Sequence, residues 1–207
     1  LKYKIPDGWE VKKLSKLIKC NYSSIGKNYS NHQLEYLDTG SLTKNVVEFT
    51  ESINTETVQA PSRAKRIINK NDILYSTVRP KLCHYGIMKD PTKNMIGSTG
   101  FAQLSSKIDM LSNDLIYTYL TSTWVTKRLH QIAALAVSAY PSISANDILD
   151  LHMALPKNMN DIDPINLKLD TIYSKISLNQ KENKKLTELR DWLLPMLMNG
   201  QVTFKDA

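Results

Sequence analysis

One spacing governs what this chain can become. Ile165, Leu169, Ile172, Ile176, Asn179, Asn183, Leu186, Arg190, Leu193 and Leu197 are set alternately four and three residues apart. On a helix that spacing makes one narrow stripe, the a/d seam of a coiled coil, sustained for more than four heptads. From Pro164 to Asn199 such a helix runs on the order of 54 Å at ~1.5 Å per residue. That is longer than a small domain is wide, so its apolar edge needs a partner helix, from a second copy or from a matching segment. A helix packed on its own domain is the alternative, but its apolar face is normally broader. Asp163 reads as the N-cap, with Pro164 at the first helical position and Gly200 as the stop. Pro195 lacks an amide donor and predicts a kink in the last turns. Asn179 and Asn183 interrupt the seam near its midpoint at residue 181. If two copies pair antiparallel about a two-fold there, Asn179 of one lies opposite Asn183 of the other and their amides bond across the axis. Buried asparagine fixes register in this way at some cost in stability. The other reading has both facing water where the coil splays. Arg190 at its seam position snorkels.

The rest of the chain has a different texture. Residues 1–158 mix short apolar runs with turn residues, and residues 159–207 are the helix with a short tail. The fold class expected is therefore α+β: a mixed, strand-rich domain followed by a long coiled-coil helix. Residues 72–76 read as the best strand, with Ile73, Leu74 and Tyr75 suited to pleated, half-buried positions. Residues 34–37, 85–88 and 101–104 read as strands too, and 148–155 as the last strand, ending at Pro156. Helices are expected over 113–122, capped by Asn113, and over 123–135, capped by Thr123.

Charge separates the two parts in the same place. Formal net charge is +7 with a pI of about 9.2. Residues 1–158 hold 20 Lys and Arg against 13 Asp and Glu, whereas residues 159–207 hold seven of each. The whole cationic surplus thus lies in the first part, where it suits a polyanionic partner. Cys20 and Cys83 stand far apart without a CxxC, which excludes a disulfide framework or a Cys-rich zinc site and fits a reducing cytoplasm. His32, His84, His130 and His152 form no metal-spaced pair. No stretch approaches the ~20 apolar residues of a membrane span, and no signal peptide is read before Ile5-Pro6-Asp7-Gly8-Trp9.

A search for catalytic chemistry finds none. There is no Gly-rich phosphate loop, no GxSxG, no HExxH and no Asn-Pro-Pro-aromatic segment. Pro6-Asp7 and Glu10-Val11-Lys12 carry the letters of a metal-dependent nuclease, but the gap is too short to set those carboxylates on adjacent strands. Asp147 and Asp150 read as caps or solvated charges. No catalytic residue, metal or cofactor is expected.

Loops rich in cations and hydroxyls are the candidate binding elements. In the segment 61–66, Arg63, Lys65 and Arg66 suit phosphates. Ser76, Thr77, Arg79 and Lys81, with His84 after them, leave the end of the best strand. Pro80 keeps Arg79 out of the helical region, on an extended backbone. Arginine is the commonest reader of guanine, through O6 and N7. Ser98 and Thr99 sit in a turn. Ser138, Tyr140 and Ser142 surround a rigid Tyr-Pro loop. Each set has a plain alternative: a charged turn, an ion pair of Arg79 with Asp72 or another acid, or a tyrosine bonded to the core.

Taken together these segments resemble the specificity (S) subunit of type I restriction–modification systems. The resemblance runs through Ile5-Pro6-Asp7-Gly8-Trp9 with Leu14, Tyr36-Leu37-Asp38-Thr39-Gly40-Ser41, and Ile73-Leu74-Tyr75-Ser76-Thr77-Val78-Arg79-Pro80. It continues in Ser98-Thr99-Gly100-Phe101, Ser138-Ala139-Tyr140-Pro141-Ser142-Ile143 and Leu155-Pro156. The tail carries its most specific part: Asn179, Glu182-Asn183, Leu186, then Leu189 through Leu197, then Asn199-Gly200. The resemblance implies a non-catalytic subunit that reads double-stranded DNA. Such a subunit docks methyltransferase subunits and, through them, endonuclease subunits. The usual chain of that family has two target-recognition domains and two helical regions. This one shows one of each, which implies a half-subunit, or a fragment, that restores the full arrangement by homodimerising antiparallel on a bipartite, palindromic site. Two rival readings remain: the recognition fragment of a single-chain restriction–methylation enzyme, and a coiled-coil assembly module with non-specific nucleic-acid binding.

Overall fold

The computed structural model describes residues 5–26, 29–135 and 141–201. β1 (Trp9–Lys13) leads through a short α1 (Leu14–Leu17) into β2 (Ile18–Cys20). β3 (Gln33–Leu37), the hairpin of β4 (Leu42–Thr43) and β5 (Val46–Val47), β6 (Glu51–Asn54) and β7 (Ala64–Ile67) follow. Next come β8 (Asp72–Ser76), β9 (Tyr85–Met88), β10 (Met95–Ser98) and β11 (Phe101–Ser106). The chain then forms α2 (Asn113–Leu120), α3 (Thr123–Leu135), α4 (Ala145–Leu149), β12 (His152–Pro156) and α5 (Asp163–Met198). This is the mixed α+β class with a long final helix, as the patterns predict.

Two four-stranded sheets run in the orders β2-β11-β8-β9 and β6-β3-β10-β7. The first is antiparallel throughout; in the second β3 and β10 run parallel. β1 and β12 form a separate antiparallel ribbon, with Trp9 opposite Pro156. β8 lies at the centre. Ile73 and Tyr75 point into a core shared with Leu17, Ile116, Leu129 and Ile148, whereas Leu74 points the other way, toward Leu37, Ile68, Met95 and Phe101. Helices cover one face of β8 and the second sheet covers the other. The strand is therefore buried on both faces rather than half-buried, which explains its unbroken apolar run.

Segment ends differ from the sequence expectation for local reasons. Ile148 and Leu149 belong to α4, not to the last strand. A capping box starts that helix: the Ser144 hydroxyl accepts the Asp147 amide at 3.2 Å, and the Asp147 carboxylate accepts the Ser144 amide at 2.7 Å. Ser112 caps α2, accepting from the Leu115 amide at 3.2 Å, because Asn113 reaches away to the backbone of Ser106 and Asn71. The Ser122 hydroxyl, not Thr123, accepts the Val125 amide at the start of α3, at 3.4 Å. Asp163 is not an N-cap: the chain enters α5 from a 3-10 turn over Met159–Ile162, and Asp163 stands in the first turn, where the helix dipole favours it. At the far end Gly200, at φ 66°, donates to the Leu197 carbonyl at 3.2 Å, and Gln201 to Met196 at 2.9 Å. That Schellman pair closes the helix, which runs on through Pro195.

The first half of α5 lies on the domain through a polar stripe. Asn166 accepts from the Ser112 hydroxyl at 2.7 Å and donates to the Met110 carbonyl at 2.8 Å. The Tyr173 ring meets Tyr117 edge-on, with centroids 5.2 Å apart, and Gln180 donates to the Asn45 carbonyl at 3.0 Å. The seam lies to one side of this stripe. Ile165 and Ile172 stay 50 % exposed and Leu186 62 %; Ile176, Asn179 and Asn183 are also exposed, and Leu169, Leu193 and Leu197 are half-buried.

Replacing Leu74 with alanine leaves a cavity between the two sheets. It should cost about 2–5 kcal/mol, read as a lower urea midpoint at an unchanged slope.

Candidate nucleic-acid interface

Four backbone hydrogen bonds draw the candidate loops to one end of β8. The Thr99 amide donates to the Arg63 carbonyl at 2.8 Å, and the Thr77 amide to the Gly100 carbonyl at 2.9 Å. The Ile143 amide donates to the Thr77 carbonyl, and the Arg79 amide to the Pro141 carbonyl, each at 2.8 Å. Segments distant in sequence thus become neighbours: residues 63, 77–79, 99–100 and 141–143. The Thr77 hydroxyl adds a bond to the Gly100 carbonyl at 2.9 Å. Gly100 permits the close approach, since a Cβ there would lie 2.8 Å from Thr39 Cγ2.

Arg79 differs from expectation. It adopts φ 47°, ψ 65°, a left-handed conformation rather than an extended one. The chain reverses there so that Arg79 can hold Pro141 and Pro80 can open the 3-10 turn Pro80–Leu82; Cys83, at φ 58°, ends that turn in the same region. Left-handed backbone costs a non-glycine residue energy and persists only where its surroundings over-determine it. Asp72 cannot serve as the Arg79 partner. It lies fully buried at the opposite end of β8, bonded by Tyr22, the Asn69 amide and Gln103.

The candidate residues divide by exposure. Arg63, Lys65, Arg79 and Lys81 are exposed, and Thr77, Thr99 and Ser142 half-buried. Ser76 and Ser98 are buried, and their hydroxyls are used inside the protein: Ser76 donates to the Val78 carbonyl at 3.0 Å, and Ser98 accepts from the Gly100 amide at 3.3 Å. Arg66 folds back, its guanidinium donating to the Ser24 hydroxyl at 3.1 Å. His84 Nδ1 is tied to the Leu42 carbonyl at 2.8 Å. Ser138 and Tyr140 lie outside the described residues.

Residues 36–40 complete the cluster. Asp38 accepts from the Tyr36 hydroxyl at 3.1 Å and the Gly40 amide at 3.3 Å. Burial alone would raise its carboxyl, but those donors and the nearby Arg63 guanidinium hold it below the ordinary value. Burial pushes the Tyr36 hydroxyl up, against the lowering effects of Ser98 and Arg63. α3 packs against the Pro80–Leu82 turn and carries exposed Lys127 and Arg128. Those cations sit inside an amphipathic helix pattern, which masks them in the sequence. Chemically the arrangement offers exposed guanidinium and ammonium groups on a braced loop framework, suited to phosphates and base edges. Among the described residues no group of His, Cys, Asp or Glu is placed to hold a metal ion, and no helix is long and apolar enough to cross a membrane.

No family model matches the chain. A curated relative, the specificity subunit of the type I restriction enzyme HindI from Haemophilus influenzae, is 24 % identical over 154 residues. That match covers 74 % of this chain and 33 % of the relative. Among solved structures, the HsdS subunit from Thermoanaerobacter tengcongensis superposes with a TM-score of 0.65 at 19 % identity, covering 93 % of this chain and 49 % of that one. A chain from a structure concerned with complex assembly and conformational transition of the type I R-M system also gives 0.65, at 21 % identity, over 99 % of this chain and 52 % of that one. The S subunit of the type I system from M. genitalium gives 0.56 at 16 % identity, over 97 % and 47 %. The chain therefore spans a third of the curated relative and about half of each solved one.

Gly100→Val should push the Thr39 loop away from Thr77 and Arg63. The expected result is faster hydrogen exchange at the Thr77 and Thr99 amides, which brace the cluster, with far-ultraviolet circular dichroism unchanged.

Proposed function

We propose that this chain, which resembles type I restriction–modification specificity subunits in both sequence and fold, reads one half of a bipartite site in double-stranded DNA and pairs with a second copy through α5. The observation that carries the pairing is the open seam. The domain occupies the stripe through Asn166, Tyr173 and Gln180, so Ile165, Ile172, Ile176 and Leu186 remain available to another helix. An antiparallel two-fold near residue 181 sets Asn179 against Asn183 and places the two domains toward opposite ends of the pair. Leu169, Leu193 and Leu197 join the same seam.

The exposed Arg63, Lys65, Arg79 and Lys81 face the DNA in this reading, with Thr77, Thr99 and Ser142 beside them. Ser138 and Tyr140 belong to the same loop set by sequence. The buried Ser76 and Ser98, together with Arg66 and His84, shape the loops from behind. A second apolar stripe, Leu189, Trp192 and Met196, lies beside the seam on the free half of α5; Trp192 is 58 % exposed. Two paired helices bury only the seam, so this stripe suits the docking of methyltransferase subunits, which in turn bring the endonuclease subunits. The chain itself takes no catalytic role, and residues 1–158 and 159–207 divide the labour between reading and assembly.

Light scattering on the purified chain should give about twice 23.5 kDa, and Ile172→Glu combined with Ile176→Glu should give the monomer. A stable wild-type monomer would remove the homodimer. Selection from a randomised duplex library should enrich one two-part palindromic motif. Arg79→Ala should lose about 1–3 kcal/mol of discrimination at one base position, whereas Lys65→Ala should weaken all sites alike and flatten the salt dependence. Equal discrimination by Arg79→Ala and the wild type would refute the assignment of Arg79.

A further inference from the structure

Charge rather than apolar packing forms the centre of the joint between α5 and the domain. Lys89 directly follows β9, and its side chain is 5 % exposed. Its ammonium reaches both carboxylate oxygens of Asp114, at 2.9 and 3.0 Å, and one oxygen of Asp170, at 2.8 Å. An ammonium has three protons to donate, and three oxygens receive them. Asp114 lies in the first turn of α2 and Asp170 near the start of α5, so one buried charge ties a strand end to two helices. Burial raises the Asp114 carboxyl above its ordinary value, against the lowering pull of Lys89. An apolar joint can slide by a fraction of a turn at little cost. A buried charge that loses a partner has no such latitude, because the unpaired ion is expensive. Lys181 also pairs with Asp90 on the same side of α5, but both are largely exposed and such pairs contribute little.

We propose that Lys89, Asp114 and Asp170 act as a positioning clamp that fixes the angle between α5 and the DNA-reading end of the domain, and so selects the spacing between half-sites. The proposal rests on the specificity-subunit reading. Leverage makes the angle matter. From Asp170 to Met198 the helix extends about 42 Å at ~1.5 Å per residue, so a tilt of roughly 5° moves its far end by about 4 Å. One base-pair step is about 3.4 Å. A few degrees at the clamp therefore equal one base pair of spacer.

Asp170→Asn is the informative variant. Its side chain is 57 % exposed, and Lys89 keeps Asp114, so the domain retains its core. Spin labels at Lys93→Cys on the domain and Lys185→Cys on the free half of α5, with Cys20 and Cys83 changed to serine, report the angle within one chain once diluted with unlabelled protein. The parent should give one narrow distance distribution, and Asp170→Asn should at least double its width with the urea midpoint preserved. In the randomised-duplex selection the parent should enrich a single spacer length; Asp170→Asn should keep the half-site but accept two or more lengths. An unchanged width overturns the clamp. A doubled width with a single spacer overturns its link to spacing. A parent that enriches no two-part motif sinks the functional reading instead, while the distance widths still decide whether the clamp exists.

Discussion

Burial of β8 on both faces is the constraint on which the rest of the molecule depends. A strand with helices on one side and a second sheet on the other must satisfy every polar group at its ends without help from bulk water. At one end Asp72 does so within the core, with Tyr22, Asn69 and Gln103 around it. Burial, and then the bond to Asp72, pushes the Tyr22 hydroxyl up to about 12. At the other end the chain leaves the core at Ser76 and Thr77, and the neighbouring segments close over the exit with backbone hydrogen bonds. The plugged end is structural, and the open end becomes the braced loop cluster. Both properties follow from the position of one strand.

The same layering explains how α5 is held. α2 belongs to the helical layer over β8; with its cap Ser112 it offers Tyr117 and Thr118 to the long helix, and Asp114 reaches that helix through Lys89. These are mostly polar partners, and they grip a polar stripe. An apolar grip would have competed for the seam, because hydrophobic contact is non-directional and favours whichever greasy surface is nearest. Directional bonds to Asn166, Asp170 and Gln180 hold the helix by its side and leave Ile165, Ile172 and Ile176 outward. The joint thus divides one helix into two faces: one attached to its own domain, and one apolar and open.

Much of this is legible in the sequence, and the departures have local causes. Residues 72–76 and 85–88 read correctly as strands, since their apolar runs and flanking turn residues are local signals. The helix caps lie one residue before those the sequence suggests because Ser112 and Ser122 compete with Asn113 and Thr123 for the same role. The last strand is shorter than its apolar run because the Ser144–Asp147 capping box starts a helix that takes in Ile148 and Leu149. Among the loop residues, exposed cations were recognisable, but hydroxyls were not sorted. Ser76 and Ser98 are buried while Thr77 and Thr99 stand at the surface edge, and nothing in the local sequence distinguishes them.

What the sequence by itself determined was local: a long helix with a seam, an apolar strand over residues 72–76, and a cationic first part. The seam is a property of residues three and four apart and the strand of an apolar run, and the backbone enforces both locally. The tertiary structure alone decided which stripe of α5 meets the domain and which loops meet one another. The partners concerned lie far apart along the chain. Lys89 finds Asp114 25 residues away and Asp170 81 residues away. Short-range pattern carries no information about such pairings; they form only when strands and helices stack in three dimensions and a buried charge must find every acceptor within reach.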